Sequence, residues 1–165
     1  MRREKAEKYL QLARVQADLF SKDPSTKVAC ILLSPDSQVV STGYNGIPRD
    51  MDDINPKRWE RPAKYKYVAH AELNAIANAA RHGISVDRSI AVVTLFPCCD
   101  CAKALIQSGI KTIVTEKPDL EMPKWGEQFR ISLEMFQEVG IQLILFDHPT
   151  AMQTKNQIPS PNGME

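Results

Sequence analysis

Two short strings in the middle of the chain combine metal-binding side chains with a carboxyl group. They are residues 70–72 (His-Ala-Glu) and residues 97–101 (Pro-Cys-Cys-Asp-Cys). Zinc in proteins prefers four tetrahedral ligands drawn from Cys, His and carboxylate groups. One histidine and two cysteines would leave the fourth position for water, which is typical of a catalytic zinc site.

Helix geometry distinguishes between the cysteines of the second string. Cys98 and Cys101 are three residues apart, so their sulfur atoms lie on one face at the start of a helix, whereas Cys99 points elsewhere. A helix N-terminus also favours thiolate over thiol. We therefore predict that His70, Cys98 and Cys101 bind one zinc ion per chain. A structural zinc or a packed pair of free cysteines is the alternative, but a structural zinc would require a fourth protein ligand.

Glu72 lies two residues after His70, a spacing that does not place two side chains on one helix face. The two converge if the metal lies beyond the helix N-terminus, near the helix axis. Two thiolates cancel the charge of Zn²⁺, so the metal should acidify its bound water less than a zinc ion with only histidine ligands would. A nearby carboxylate would compensate by accepting the proton of the attacking water. We predict that Glu72 is this catalytic group and that it then protonates a ring nitrogen and the leaving amine. That sequence of steps is hydrolytic deamination.

The composition indicates one domain with a nearly neutral charge. The 165 residues include 21 Lys and Arg, 20 Asp and Glu, and only 7% aromatic residues. A protein that binds DNA or RNA usually carries a basic excess or stacking aromatics, so we expect no nucleic-acid partner. No apolar run is long enough for a membrane span, and the charged first residues do not resemble a signal peptide. We therefore expect a cytoplasmic protein without a membrane partner.

Apolar spacing predicts the elements that position the two strings. The predicted helices cover residues 3–20, 70–82, 98–108 and a segment beginning near Trp125; the predicted strands cover 28–33, 38–44, 89–95, 111–115 and 141–146. The first two strands form an antiparallel hairpin, and two later strand–helix–strand units predict parallel pairing. Both strings then begin helices.

Three further features of the sequence concern individual segments. Residues 45–68 are predicted to be a long irregular loop, and a loop of this length is usually functional or disordered. Helix 70–82 is predicted to bury one stripe of apolar residues: Leu73, Ile76, Ala77 and Ala80. We predict a single domain over residues 1–147 and a flexible tail over residues 148–165.

Together with residues 70–72 and 97–101, three further strings carry a resemblance to a known family. They are residues 23–27 (Asp-Pro-Ser-Thr-Lys), 43–49 (Gly-Tyr-Asn-Gly-Ile-Pro-Arg) and 64–65 (Lys-Tyr). His-x-Glu followed by Pro-Cys-x-x-Cys is the known signature of zinc deaminases. The chain resembles the cytidine and deoxycytidylate deaminase superfamily, most closely the deoxycytidylate (dCMP) deaminases. The resemblance implies a three-layer α/β fold, with flanking helices around a five-stranded mixed sheet in the order 2-1-3-4-5.

The resemblance also implies an activity, conversion of dCMP to dUMP and ammonia for dTMP synthesis, and a set of substrate contacts. It implies that Asn45 contacts the sugar or the adjoining phosphate, and that the backbone amide of Ala71 binds the pyrimidine carbonyl. Five cations of the 45–68 loop would suit a 5′-phosphate: Arg49, Arg58, Arg61, Lys64 and Lys66. Of these, Arg49 and Lys64 are substrate-binding candidates, together with Tyr44, Ser25, Lys27, Tyr65 and Phe96. The alternatives are a tight turn at residues 43–48, core or interface packing of Tyr65, and a charged loop that is merely solvated.

By the same resemblance, dCTP and dTTP are expected effectors, Mg²⁺ is expected to accompany an effector nucleotide, and the expected assembly is a hexamer. Another deaminase of the superfamily, acting on cytidine, guanine or tRNA adenosine, is the main alternative. A nucleotide-binding module without catalysis is the other alternative, and the intact Glu72 argues against it.

Overall fold

The computed structural model describes residues 1–148, so the predicted tail lies outside the described residues except for His148. The helices are α1 (Arg3–Phe20), α2 (Lys64–Tyr67), α3 (Ala71–Arg81), α4 (Cys99–Gln107) and α5 (Gly126–Glu138). The strands are β1 (Ala29–Leu33), β2 (Val39–Tyr44), β3 (Ile90–Val93), β4 (Thr112–Glu116) and β5 (Gln142–Phe146).

The five strands form one mixed sheet in the order β2-β1-β3-β4-β5. β1 pairs antiparallel with both β2 and β3, whereas β3, β4 and β5 are parallel to one another. The predicted order 2-1-3-4-5 and the predicted parallel pairing are therefore confirmed. The parallel strands are connected by α4 and α5, as crossover connections require.

Every residue of β1 and β3 is buried, because helices cover both faces of the sheet. Ile31 and Val92 point toward one face, where they pack with Leu10 of α1. Cys30 and Val93 point toward the opposite face, which is covered by α3, α4 and α5. The alternation follows the two-residue period of a strand, and it gives three layers.

The predicted irregular loop contains two short helical segments, a 3-10 helix over Pro56–Arg58 and α2. Its end is tied to its beginning by a bridge between Gly46 and Ala69, just before α3. This bridge holds the entry to α3 against the end of β2.

The predicted apolar stripe of α3 is wrong at three of its four positions: Ile76 packs against the core, but Leu73, Ala77 and Ala80 are exposed. The buried positions are Ala71, Glu72, Ala75 and Ala79, while Leu73 is half exposed. The physical reason is the close approach of α3 to β2, where the backbone of Gly43 lies directly against the helix backbone. At Ala71 and Ala75, which face Gly43, only small side chains fit.

We predict that Gly43→Ala lowers the free energy of unfolding by about 1–3 kcal/mol, as overpacked core substitutions do. A Cβ atom at Gly43 would overlap the backbone of Ala71 and Ala75, so α3 would have to move. Gly46→Ala is the matched control because a Cβ there meets nothing within 4 Å. Urea unfolding of the two variants measures the difference, and equal midpoints would contradict the close approach.

Among residues 1–148, no helix is both long and apolar enough to cross a membrane.

Candidate active site

The N-termini of α3 and α4 meet beside the sheet. His70 is the N-cap residue of α3 and Cys98 is the N-cap residue of α4, both with extended backbones. Cys101 lies one turn into α4, so its side chain returns to the same end of the helix. The two helix starts therefore bring the three predicted ligands together from different sides of one point.

The three potential ligand atoms are close enough to share a metal ion. Nδ1 of His70 lies 3.3 Å from Sγ of Cys101 and 3.4 Å from Sγ of Cys98. All three ligand atoms lie within 4.8 Å of one another. Tetrahedral zinc with ordinary Zn–N and Zn–S bond lengths places its ligand atoms about 3.5 Å apart. The donor set and its spacing thus fit zinc.

The cluster contains three ligands and no fourth His, Cys, Asp or Glu within the described part of the chain. Cys99 does not belong to it, because its Sγ lies 3.5 Å from Oε1 of Gln128 on α5. Three protein ligands leave one coordination position for water or substrate, as in catalytic zinc sites.

The pKa values of the two cysteines of the cluster are shifted in opposite directions. The hydrogen bond from the Cys101 thiol, together with one from His70, lowers the pKa of Cys98 to about 4. The same hydrogen bond to Cys98 and the burial of Cys101 raise the pKa of Cys101. The lowered pKa of Cys98 favours its thiolate form, which is the form that binds a metal ion.

Glu72 is the second residue of α3 and its side chain is almost fully buried, with 4% of its surface exposed. Burial raises its pKa, while nearby His70 has the opposite, smaller effect. Behind it, Cys30 lies in β1, fully buried; burial and, secondarily, the charge of Glu72 raise the pKa of its thiol. Glu72 therefore has a dry apolar wall on one side and the metal ligands on the other.

A cleft of about 690 Å³, measured to its open mouth, leads to the cluster. His70, Glu72 and Cys98 line its buried end. Its apolar walls are formed by Val28, Val68, Ala71, Leu95, Phe96, Trp125 and Phe129. Such a cleft, apolar with a few polar groups, is typical of a small-molecule site.

One edge of the cleft is built on a buried ion pair. Nζ of Lys64 lies 2.6 and 2.7 Å from the two carboxylate oxygens of Asp23, and both side chains are at least nine-tenths buried. Burial would raise the pKa of Asp23, but hydrogen bonds, above all the one from Lys64, outweigh it and leave the pKa lowered. The pair joins the segment after α1 to the 45–68 loop.

Asn45 completes this network. Its Oδ1 accepts hydrogen bonds from Ser21 and from the Val28 amide, and its Nδ2 donates to Asp23 and to the carbonyl of Thr26. All four hydrogen-bonding positions of the side-chain amide are thus occupied within the protein.

The family model for the cytidine and deoxycytidylate deaminase zinc-binding region matches residues 3–117, which include all three potential ligands and Glu72. The chain belongs to this family. It is 36% identical to a deaminase in the luxG 3′ region of Aliivibrio fischeri over 139 residues, which cover 84% of this chain and 90% of that protein. The match therefore extends over nearly the whole described deaminase fold.

The names of two relatives state a substrate. The chain is 42% identical to a probable deoxycytidylate deaminase of Caenorhabditis elegans over 113 residues, 66% of this chain and 55% of that protein. It is 44% identical to the deoxycytidylate deaminase of Mus musculus over 101 residues, 57% of this chain and 54% of that protein. The chain thus spans about half the length of these two relatives.

The fold also matches a solved structure of the dCMP deaminase from the cyanophage S-TIM5 in complex with dCMP and dUMP. The TM-score is 0.70 and the identity 23%, with 88% of this chain and 99% of that chain covered. At this identity the similarity establishes the fold, and it confirms the predicted three-layer cytidine-deaminase-like architecture.

Five of the predicted substrate-binding residues lie at the deaminase cleft: Asn45, Lys64, Tyr65, Ala71 and Phe96. Phe96 is a wall residue, packed edge-to-face against Phe129 and Phe136. Tyr65 is 41% exposed. Ala71 begins α3, where backbone amides have no partner inside the helix.

The other four predicted residues do not line the cleft. Tyr44 stacks on Phe20 at the surface. Arg49 donates to Oδ1 of Asn78 on the exposed side of α3. Lys27 donates to the carbonyl of Asp18, and Ser25 lies just behind the cleft, where its Oγ accepts a hydrogen bond from Lys64.

Asp23 and Trp125 lie at the cleft but were not predicted as site residues. Asp23 was recognisable only as part of the 23–27 string, since nothing in the sequence shows that it is buried. Trp125 was assigned to the apolar face of its helix. In the structure it lines the cleft and its ring meets the ring of His70 edge-to-face, with 6.2 Å between their centroids. An exposed cation just before it, Lys124, also went unnoticed.

Proposed function

We propose that this deaminase converts dCMP to dUMP and ammonia by hydrolysis. The observation that carries the proposal is the cluster of His70, Cys98 and Cys101 beside buried Glu72 at the buried end of the cleft. The names of the nematode and mouse relatives support dCMP as the substrate.

Each group at the buried end has a role in that reaction. A zinc ion held by the three ligands would supply Lewis-acid activation of a water molecule. Glu72 accepts one proton of the water and passes it to the ring nitrogen next to the amine-bearing carbon. It then transfers the remaining hydroxyl proton to the leaving amine, which departs as ammonia while the carbon–oxygen bond becomes a carbonyl. The free backbone amide of Ala71 suits the pyrimidine carbonyl, and Phe96 closes the apolar wall.

The cleft walls also serve the chemistry by excluding water. Phe129 and Phe96 are almost fully buried, and Trp125 covers His70 from the opposite loop. With little water present, the carboxylate of Glu72 remains the group that handles the protons.

Ammonia release from dCMP, CMP, deoxycytidine, dCTP and guanine tests the proposal. We expect the highest kcat/KM with dCMP. If dCMP is inert while a nucleoside or guanine reacts, the substrate assignment fails and a different deaminase activity replaces it. If no compound reacts with zinc-loaded protein, a binding module without catalysis becomes the better description.

Regulation and assembly remain predictions that follow from the family resemblance. We expect dCTP and dTTP, together with Mg²⁺, to change the rate of dCMP deamination in the same assay; unchanged kinetics would remove that expectation. The hexamer is proposed on the same basis, whereas the cytoplasmic location is an expectation from the sequence pattern alone.

A further inference from the structure

Trp125 packs against the side chain of His70, one of the three potential zinc ligands. The two rings meet edge-to-face, with 6.2 Å between their centroids and 71° between their planes. This geometry lies within the range of attractive aromatic pairs. Trp125 comes from the loop between β4 and α5, whereas His70 is the N-cap residue of α3. A distant segment of the chain therefore contacts the metal site through the ring of one ligand.

The second ring nitrogen of His70 has no hydrogen-bonding partner in the protein that could orient the ring. In most zinc sites this nitrogen donates to a neighbouring group, often a carboxylate or a backbone carbonyl, and so fixes the ring. Here the Nδ1 atom faces the sulfurs of Cys98 and Cys101, and no protein group among residues 1–148 forms a hydrogen bond with Nε2. Packing against Trp125 is then the contact that can restrict rotation of the ring.

The loop that carries Trp125 holds the indole in place. Gly126 lies so close to Leu120 that a Cβ atom at Gly126 would come within 2.2 Å of the Leu120 carbonyl oxygen. The backbone amides of Trp125 and Gly126 both donate to the carbonyl of Met122, at 3.2 and 2.8 Å. On the outer side, the ammonium group of Lys124 lies 4.6 Å from the centroid of the indole ring. The indole is thus fixed from its own loop and can act as a rigid wall for the histidine.

We propose that Trp125 orients the ring of His70 for metal binding and thereby strengthens the binding of zinc by this deaminase. A ligand ring that is already held in place loses less conformational freedom when the metal binds. The inference rests on the proposed function, since it concerns the zinc ion of that reaction. Trp125 is a positioning residue that acts through His70 and takes no part in proton transfer.

The test measures zinc affinity without substrate, by competition between the metal-free protein and a chromogenic chelator. Trp125→Leu removes the ring but keeps an apolar side chain, and it is expected to weaken zinc binding about three- to tenfold. Trp125→Phe keeps a ring that can pack edge-to-face, so its affinity should stay within about twofold of the wild type. Co²⁺ bound in place of zinc reports ligand geometry, and its visible absorption bands should shift in Trp125→Leu but not in Trp125→Phe.

Trp59→Leu is the matched control, because it removes another half-buried indole, one that donates to the carbonyl of Asp53 and does not line the cleft. The Tm of each metal-free variant, measured with excess chelator, shows how far the fold itself is destabilised. Trp59→Leu should keep the zinc affinity and the cobalt spectrum of the wild type.

Equal zinc affinities and equal cobalt spectra in the wild type and Trp125→Leu would overturn the positioning role of Trp125. Equal losses of affinity in Trp125→Leu and Trp59→Leu would also overturn it, because they would assign the effect to the stability of the fold. A zinc-loaded wild type that releases no ammonia from dCMP would refute the proposed function alone, since none of the affinities is measured with a substrate.

Discussion

Glu72→Gln is expected to lower kcat for deamination by about 10³- to 10⁴-fold while zinc stays bound, the upper range for removal of a general acid–base group. Glutamine has the shape of the carboxylate but cannot accept the proton of water. Glu72 is only 4% exposed and faces an apolar wall. We therefore expect no neighbouring side chain to take over as proton acceptor in the variant.

The measurement pairs ammonia release from dCMP with the zinc content of the purified protein. Glu127→Gln is the control, since Glu127 occupies the first turn of α5 as Glu72 does that of α3, but at the exposed surface. Its rate and zinc content should equal those of the wild type. Full turnover in zinc-loaded Glu72→Gln would show that the proton is carried by another group.

The fold was predictable because its strong signals are local. The apolar runs of β1 and β3 and the glycines after the helices mark the elements, and the alternation of strands and helices fixes the parallel pairing. The structure begins α3 and α4 one residue later than predicted, because His70 and Cys98 are N-cap residues. Those two positions carry the potential ligands.

The buried face of α3 was not predictable from apolar periodicity. That face contains alanines and Glu72, whereas the larger Leu73 is half exposed. Hydrophobicity favours burial of leucine, but the closeness of the Gly43 backbone leaves room only for small side chains at Ala71 and Ala75. A steric constraint between distant segments has no signature in the helix sequence itself.

The substrate contacts were least predictable, because charge in a loop does not reveal where a side chain goes. Lys64 and Arg49 are both basic residues of the 45–68 segment, yet one is buried on Asp23 and the other reaches Asn78 outside the cleft. Lys124 lies in a different loop, far along the chain. Only the three-dimensional structure shows that its ammonium group lies over the rings of Tyr65 and Trp125, two residues that line the cleft.

Removal of any one predicted zinc ligand is expected to abolish zinc binding and activity together. The variants are His70→Ala, Cys98→Ser and Cys101→Ser, each of which leaves two of the three donors. Cys99→Ser is the matched control within the same string, because its sulfur is directed to Gln128 and not to the cluster. It should keep one zinc ion per chain and the full rate.

Thermal unfolding gives a readout of zinc binding that does not depend on catalysis. Free zinc at 1,000 times its Kd stabilises the folded state by about 4 kcal/mol. For a chain of this size that corresponds to a rise in Tm of about 8–16 °C. A chelator should therefore lower the Tm of the wild type and of Cys99→Ser, and leave that of Cys98→Ser unchanged. A chelator-sensitive Tm in Cys98→Ser and loss of zinc in Cys99→Ser would assign the ligand to Cys99 instead, which would require α4 to begin with a different orientation.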